Sequence, residues 1–458
     1  MPQSQGIGMT ISQRPLAVII LAAGQGTRMK SAKHKVLHPV AGRPMLLHLL
    51  AAVEALGVDR KVVVVGAGRD QVEAAVAGKG VAIAVQEQQL GTGHAVAQAH
   101  EALAGFAGDV LILYGDVPLV RTETMRAMID RLNRGDEPRA VVLGFRPEEP
   151  AAYGRIVADA QGVIGKMVEY KDATPEERRI TLCNSGLMAV RASDLFVLLD
   201  RIGNDNAAGE YYLPDIVMLP GAPSAVIETD ADEVAGVNSR AELAGVERIW
   251  QDRRRAEAMR DGVTLIAPET IFFCHDTQVA RDVVVEPNVV FGPGVTIAEG
   301  AIVHSFSHIE GANIGKGAQI GPYARLRPGA EIGEKAKVGN FVEIKKAVLG
   351  EGAKVNHLSY IGDADVGVGA NIGAGTITCN YDGFFKYRTQ IGAGAFIGSN
   401  TALVAPVKVG DGAIVGAGSV LTADVPADAL ALVRAPQTEK GGWAKRFRIK
   451  MQERKANR

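Results

Sequence analysis

From Leu16 to about Val237, short apolar runs alternate with amphipathic stretches. Ala17–Ala23, Lys61–Val65, Val81–Val85, Val110–Tyr114 and Ala140–Phe145 are continuous, rich in β-branched residues and one strand long, the pattern of strands covered on both faces. Between them, Pro44–Leu56, Gly93–Leu103 and Thr122–Leu132 read as helices, the first with proline in its opening turn and Gly57 just past its end. Alternating strands and helices predict a doubly wound, largely parallel α/β sheet of Rossmann-like type, with ligands beyond the carboxyl ends of its strands. Ser239–Arg260 is dense in alanine and alternating charge, with Trp250 on its apolar side, and predicts a helical arm at a domain boundary.

After about Ile271 the pattern changes. Aliphatic or aromatic residues recur every six positions at Val285, Phe291, Ile297, Val303 and Ile309. After a step of five they resume at Ile314, Ile320, Leu326, Ile332, Val338 and Ile344. Two more five-residue steps carry the series to Ile372; an insertion, Asn380–Gln390, interrupts it, and it then runs from Ile391 to Leu421. A helix needs an apolar period near 3.6 and a simple strand one of 2. A six-residue period is the mark of a hexapeptide-repeat, left-handed parallel β-helix, with each hexapeptide one short strand and a turn and its aliphatic residue pointing inward.

The expected organisation is therefore an N-terminal extension (1–15), an α/β domain (16–238), a helical linker (239–262), a β-helix (263–440) and a basic tail (441–458). Of 458 residues, 47% are hydrophobic and 22% charged, as expected for globular material. Fifty basic against 51 acidic residues give a net charge of -1, which argues against a chain-wide footprint for nucleic acid or an anionic membrane. The 54 glycines, concentrated towards the C-terminus, fit the many turns of the β-helix. The three cysteines, Cys183, Cys274 and Cys379, are far apart, which disfavours a disulfide framework and suits a reducing cytoplasm. No apolar run is long enough to span a bilayer, and Met1–Pro15 lacks the basic-then-apolar pattern of a secretory signal.

Two features of the first domain carry chemistry. Leu21-Ala22-Ala23-Gly24-Gln25-Gly26-Thr27-Arg28-Met29 follows the first strand; small residues there let backbone N–H groups approach phosphates, and Arg28 and Lys35 add positive charge. The Gly-x-Gly-x-x-Gly dinucleotide fingerprint and the P-loop Gly-Lys-Ser/Thr are both missing. Leu113-Tyr114-Gly115-Asp116-Val117-Pro118-Leu119 puts one carboxylate at a strand end, where it suits either an oxygen-ligated Mg²⁺ bridging phosphates or a helix cap. In the β-helix, Arg327, Lys345, His357, Tyr360, Asn371 and Asn380-Tyr381 interrupt the repeat within a few coils of one another, beside the insertion.

Together these motifs, with Gln89-Leu-Gly-Thr-Gly-His, Tyr153-Gly-Arg-Ile, Val168-Glu-Tyr-Lys-Asp-Ala-Thr, Asn184-Ser-Gly and Gly236-Val-Asn, resemble the sugar nucleotidyltransferases. With the hexapeptide half and Asn371-Ile-Gly-Ala-Gly-Thr-Ile-Thr-Cys-Asn-Tyr-Asp-Gly, the chain resembles the bifunctional N-acetylglucosamine-1-phosphate uridyltransferase/glucosamine-1-phosphate acetyltransferase family from Leu16 to Trp443. It departs from that pattern at His34, where proline is usual, and at Pro214, where threonine is usual.

The resemblance implies that Leu21, Ala22, Ala23 and Gly24 hold the nucleotide, with Arg28 and Lys35 neutralising its charge. Gln86, Gly91 and Thr92 would read the uracil, and Tyr114, Gly115 and Asp116 would line the same site. Asp116 and Asn238 would ligate Mg²⁺, while Gly154, Glu169 and Asn184 would bind N-acetylglucosamine. In the β-helix, His357 would be the general base, since imidazole titrates near neutrality. Arg327 and Lys345 would clamp the sugar phosphate, and Tyr360 and Asn371 would orient the sugar. Ala374, Asn380, Tyr381, Ser399, Ala417 and Arg434 would line an acetyl-CoA channel.

The implied partners are glucosamine-1-phosphate, N-acetylglucosamine-1-phosphate, UTP and acetyl-CoA, acted on by a homotrimer that supplies precursor for peptidoglycan and lipopolysaccharide. Two other readings are a one-activity nucleotidyltransferase with a purely assembling β-helix, and a non-catalytic β-helical scaffold. The first would lack the Lys345, His357 and Asn380-Tyr381 set; the second leaves the phosphate loop and Asp116 unexplained. For the tail, Lys445, Arg446, Arg448, Lys450, Arg454, Lys455 and Arg458 fit a solvated, partly disordered end, or help with CoA phosphates.

Overall fold

The computed structural model describes residues 14–150 and 152–457; most of the N-terminal extension expected at 1–15 therefore lies outside the described residues. The chain divides into two compact units, the first ending at Arg254 and the second beginning at Arg255.

In the first unit the central sheet runs, edge to edge, Ala225–Thr229, Ala140–Phe145, Cys183–Arg191, Asp109–Tyr114, Leu16–Ala22, Arg60–Val65 and Val81–Val85. The five strands expected from the apolar runs all form, with ends within one residue of those expected. In the four inner strands continuous hydrophobicity has a direct cause, whereas Val81–Val85, expected to be covered on both faces, lies at the sheet edge and is partly exposed. Ile19, Val62, Val64 and Ile112 enter a core on one face, while Val18, Ile20, Val63, Leu111 and Leu113 enter a second core on the other. Burying each of these side chains contributes roughly 1.5–3 kcal/mol.

The sheet is mixed, because Cys183–Arg191 runs antiparallel to both Asp109–Tyr114 and Ala140–Phe145. Before that strand the chain makes an excursion containing the antiparallel pair Arg155–Ala158 and Ile164–Val168, so it re-enters the sheet from the opposite end. The segment expected to be one helix over Gly93–Leu103 is a short α-helix, Thr92–Ala97, followed by a 3-10 turn, Glu101–Leu103. The helix at the boundary spans Arg240–Arg260; Val246 joins a small core of Met29, Val40, Met45, Leu119 and Val237, against which Trp250 packs.

The second unit is a left-handed parallel β-helix whose strands visit three sheets in rotation, of ten, eight and eight strands. Val285 sits beside Val303 one coil later, so three hexapeptides make one turn. The five-residue step before Ile314 shortens that coil by one residue, yet Ile297 still stacks on Ile314. The stacked aliphatic column thus sets the register, and the turn absorbs the missing residue.

Trp443–Ala456 is an α-helix with no buried side chain. The described part of the tail is thus exposed and helical where partial disorder was expected, in keeping with its Ala, Lys, Arg, Met, Gln and Glu content. Cys183 and Cys274 are buried and none of the three cysteines is in a disulfide. Among the described residues no helix is long and apolar enough to cross a membrane.

Candidate functional site

In the first unit a cavity of about 360 Å³ opens at the carboxyl end of the first strand. Leu21, Ala22, Ala23, Gly24, Lys35, Gln86, Gly91, Thr92, Tyr114 and Asp116 line it, joined by Gln89, whose amide donates to Ala23 O at 2.7 Å. Gly115 N–H donates to Leu21 O at 2.9 Å and ties the first strand to the Asp116 loop. Gln86 donates to Gly91 O at 3.1 Å, bracing the turn that leads into the Thr92–Ala97 helix. Burial raises the Tyr114 phenol far above its ordinary range, so it stays a neutral wall of the cavity. Arg28 lies exposed in the 3-10 turn Thr27–Met29.

The loop carrying Lys35 packs closely. Gly26 has φ 62°, and a Cβ there would stand 2.6 Å from Lys35 Cβ, so glycine is required for the lysine stem to pass. Lys35 Nζ donates to Asp116 Oδ2 at 2.5 Å and to Asn238 Oδ1 at 3.1 Å. Asn238 is placed by its own N–H donating to Glu242 Oε2 at 2.7 Å, and Val237 N–H donates to Asp116 O at 3.0 Å. His34, standing where proline is usual, is buried with neither ring nitrogen hydrogen-bonded among the described residues. Burial, then the neighbouring Lys35 charge, lowers its tendency to protonate.

A second cavity in this unit, about 280 Å³, is lined by Gly154, Glu169 and Asn184 together with Asp172, Tyr212, Pro214 and Asp215. A Cβ on Gly154 would lie 3.1 Å from Glu169 Oε1, so the missing side chain leaves that carboxylate room. Asn184 N–H donates to Gly154 O at 2.9 Å. Burial, then the charges of Asp215 and Asp172, raises the Glu169 carboxyl above its usual range.

The wall of this cavity is braced by Arg155, 2% exposed, whose guanidinium donates to the carbonyls of Pro150, Tyr153 and Arg178 and lies over the Tyr170 ring. The sequence reading quoted Arg155 and Asp172 only as parts of motifs and gave Asp215 no role. Their signal was charge density in Val168–Asp172 and Glu210–Asp215, legible only once the fold faces the two segments towards each other.

In the β-helix, Arg327, Lys345 and Tyr360 belong to successive coils of one sheet. Arg327 donates to Glu343 Oε1 at 2.8 Å, Glu343 sits opposite Tyr360, and Lys345 opposite Gly362. Asp363 lies 4.0 Å from Lys345 Nζ and accepts from the Asn380 amide. Lys386, from the insertion, loses proton affinity because Lys345 is its neighbour. Asn371 lies on the neighbouring sheet, opposite Lys354.

His357 ends its strand at a corner of the coil. Its Nδ1 is 2.5 Å from Oδ1 of Asn340, its register partner one coil earlier. That corner forms a ladder running down the coils. His357 O accepts from Gly375 N–H, Ala374 O from Asn400 N–H at 2.7 Å, Ser399 O from Gly418 N–H at 2.8 Å, and Ala417 O from the Arg434 guanidinium at 2.8 Å. His357, Ala374, Ser399, Ala417 and Arg434, scattered over the sequence, thus follow one edge. Tyr381 stands 59% exposed in the insertion. The sequence reading missed Asn340, Glu343, Asp363 and Lys386. Charged or amide side chains within hexapeptide strands are the signal that would have found Asn340 and Glu343, and a charged residue in the tight turn between two strands the signal for Asp363.

Residues 18–169 match the family model described as a MobA-like NTP transferase domain. Residues 311–346 and 388–423 match the model for the bacterial transferase hexapeptide of six repeats. A bifunctional protein GlmU from Rhizorhabdus wittichii is 70% identical over 98% of this chain and 100% of its own length. Proteins of the same name from Novosphingobium aromaticivorans and Zymomonas mobilis are 63% and 57% identical, over 97% and 95% of this chain and 99% and 98% of their own lengths. With both halves matched in order and at this identity over nearly its whole length, the chain belongs to the bifunctional GlmU family.

Proposed function

We propose that the first unit transfers uridylyl from UTP to N-acetylglucosamine-1-phosphate, and the β-helix transfers acetyl from acetyl-CoA to glucosamine-1-phosphate. Together they make UDP-N-acetylglucosamine. The observation that carries this division is that each unit gathers its own set of chemistry-bearing residues: a cation-bearing cavity at the strand ends, and a histidine-headed ladder down one β-helix corner.

In the first unit, the sugar phosphate oxygen attacks the α-phosphorus of UTP in line and pyrophosphate leaves. Positioning and charge stabilisation supply such catalysis, and no protein nucleophile is required. Backbone N–H groups of Leu21–Gly24 hold the phosphates, Lys35 and Arg28 offset their charge, and Gln86, Gly91 and Thr92 select the base. Gly154, Glu169 and Asn184 seat the sugar. Asp116 and Asn238 offer two hard oxygen donors that already hold an ammonium group, so the pair fits Mg²⁺. That ion would supply charge neutralisation at the phosphates.

In the β-helix, Nε2 of His357 takes the proton from the glucosamine amine, which attacks the thioester carbonyl carbon, and CoA leaves as the thiol. Arg327 and Lys345 hold the sugar phosphate; Tyr360 and Asn371 orient the sugar. Ala374, Ser399, Ala417 and Arg434 guide the pantetheine arm along the corner, and Asn380 and Tyr381 meet acetyl-CoA from the insertion. Asn340 accepts from Nδ1–H of His357, which leaves Nε2 as the basic nitrogen. Asn340→Ala is therefore expected to lower kcat for acetyl transfer about tenfold while KM for glucosamine-1-phosphate stays within about twofold, as for lost orientation of a catalytic group. Steady-state CoA release measures both, and a change in KM alone would contradict this role.

We further propose a cytoplasmic homotrimer. Exposed rings of Phe306, Tyr323 and Phe341 stack on successive coils at 4.9 and 5.1 Å, an apolar ladder suited to a second copy. The function is tested by a paired assay on the purified chain. CoA release is expected with glucosamine-1-phosphate and acetyl-CoA, and pyrophosphate release with UTP and N-acetylglucosamine-1-phosphate. Silence in either half removes that activity from the reading.

A further inference from the structure

Lys35 is proposed above to neutralise phosphate, yet its ammonium group lies between Asp116 Oδ2 and Asn238 Oδ1, the two oxygens proposed to receive Mg²⁺. The side chains of Lys35 and Asp116 are only 12% and 16% exposed, so little water screens them. A carboxylate in so enclosed a place is costly without a counter-charge, and Lys35 provides one. The close packing of its stem against Gly26 fixes where the side chain starts, leaving its torsions to decide where the ammonium goes. A divalent cation and an ammonium group cannot share that pair of oxygens at contact distance.

We propose that Lys35 is the counter-cation of Asp116 until metal and nucleotide bind and that metal binding displaces it towards the phosphates, so that metal uptake and the lysine's phosphate contact are one coupled exchange. This rests on the reading of Asp116 and Asn238 as metal ligands. In the exchange the Lys35 ammonium group only changes partner, from carboxylate to phosphate. It also keeps the site closed to metal until a phosphate chain offers the ammonium group another anion. Binding of metal and nucleotide then assist each other reciprocally.

The test is Mn²⁺ binding to the full-length protein, followed by electron paramagnetic resonance without nucleotide and again with saturating UTP. Lys35→Met and Lys35→Gln keep the stem and remove the charge, and their melting curves report folding. Both variants are expected to bind Mn²⁺ about tenfold more tightly than the parent protein without nucleotide, within the usual range for coupled sites. With UTP present, the advantage is expected to vanish. Asp116→Asn, alone or combined with Lys35→Met, is expected to abolish binding at this site. If Asp116→Asn abolishes binding but both lysine variants bind no tighter than the parent, the displacement is wrong while the ligand reading stands. If Asp116→Asn leaves Mn²⁺ binding unchanged, the ligand reading fails and takes the displacement with it.

Discussion

His357→Ala is expected to reduce CoA release with glucosamine-1-phosphate by about 10²–10⁴-fold, the range for losing a positioned general base, while pyrophosphate release from UTP stays near the parent rate. The amine substrate is protonated near neutrality and cannot attack a thioester until a base takes its proton. His357 heads the corner along which Ala374, Ser399, Ala417 and Arg434 follow, with Nδ1 bound to Asn340. Its side chain is exposed and packs into no core, so alanine opens no cavity in the stacked aliphatic column. A selective loss is therefore the expected signature, measured by both assays on one preparation together with its melting temperature. Retention of full acetyl transfer would move the base elsewhere in the cluster.

The periodicities were the most legible part of the chain. Strands buried on both faces must be apolar throughout, and a coil of three hexapeptides must repeat its inward residue every six positions. Both are local constraints, which is why Asp109–Tyr114, Ala140–Phe145 and the stacked series from Val285 to Leu421 could be read directly. The reversed direction of Cys183–Arg191 was not legible, because it depends on where the preceding excursion returns to the sheet. The site divides in the same way. Asp116 and the Leu21–Gly24 loop lie at strand ends, where local pattern points to a ligand. Asp363 and Asn340 become meaningful only when coils stack and bring them against Lys345, Asn380 and His357. Pairings across coils are set by register, and a single hexapeptide carries no trace of its neighbour.

Asp116→Ala is expected to be the mirror image, lowering pyrophosphate release by about 10²–10³-fold, the scale of losing one preorganised electrostatic contact to the reacting group, with CoA release unaffected. Two consequences add up. The proposed Mg²⁺ pair is reduced to Asn238 alone, and Lys35 loses the stronger of its two partners while remaining mostly buried. The second consequence also destabilises the unit, by about 1–3 kcal/mol for an ammonium group left short of a partner, discounted by whatever water reaches it. Asp116→Asn separates the two: it keeps the shape and an acceptor for Lys35 but removes the charge, so it should lose nearly as much activity with less loss of stability. Comparison of the melting transitions of the two variants with their two activities decides the matter. If pyrophosphate and CoA release fell together in a protein that melts like the parent, the two units would not be independent catalysts, and the assignment of one reaction to each would have to be abandoned.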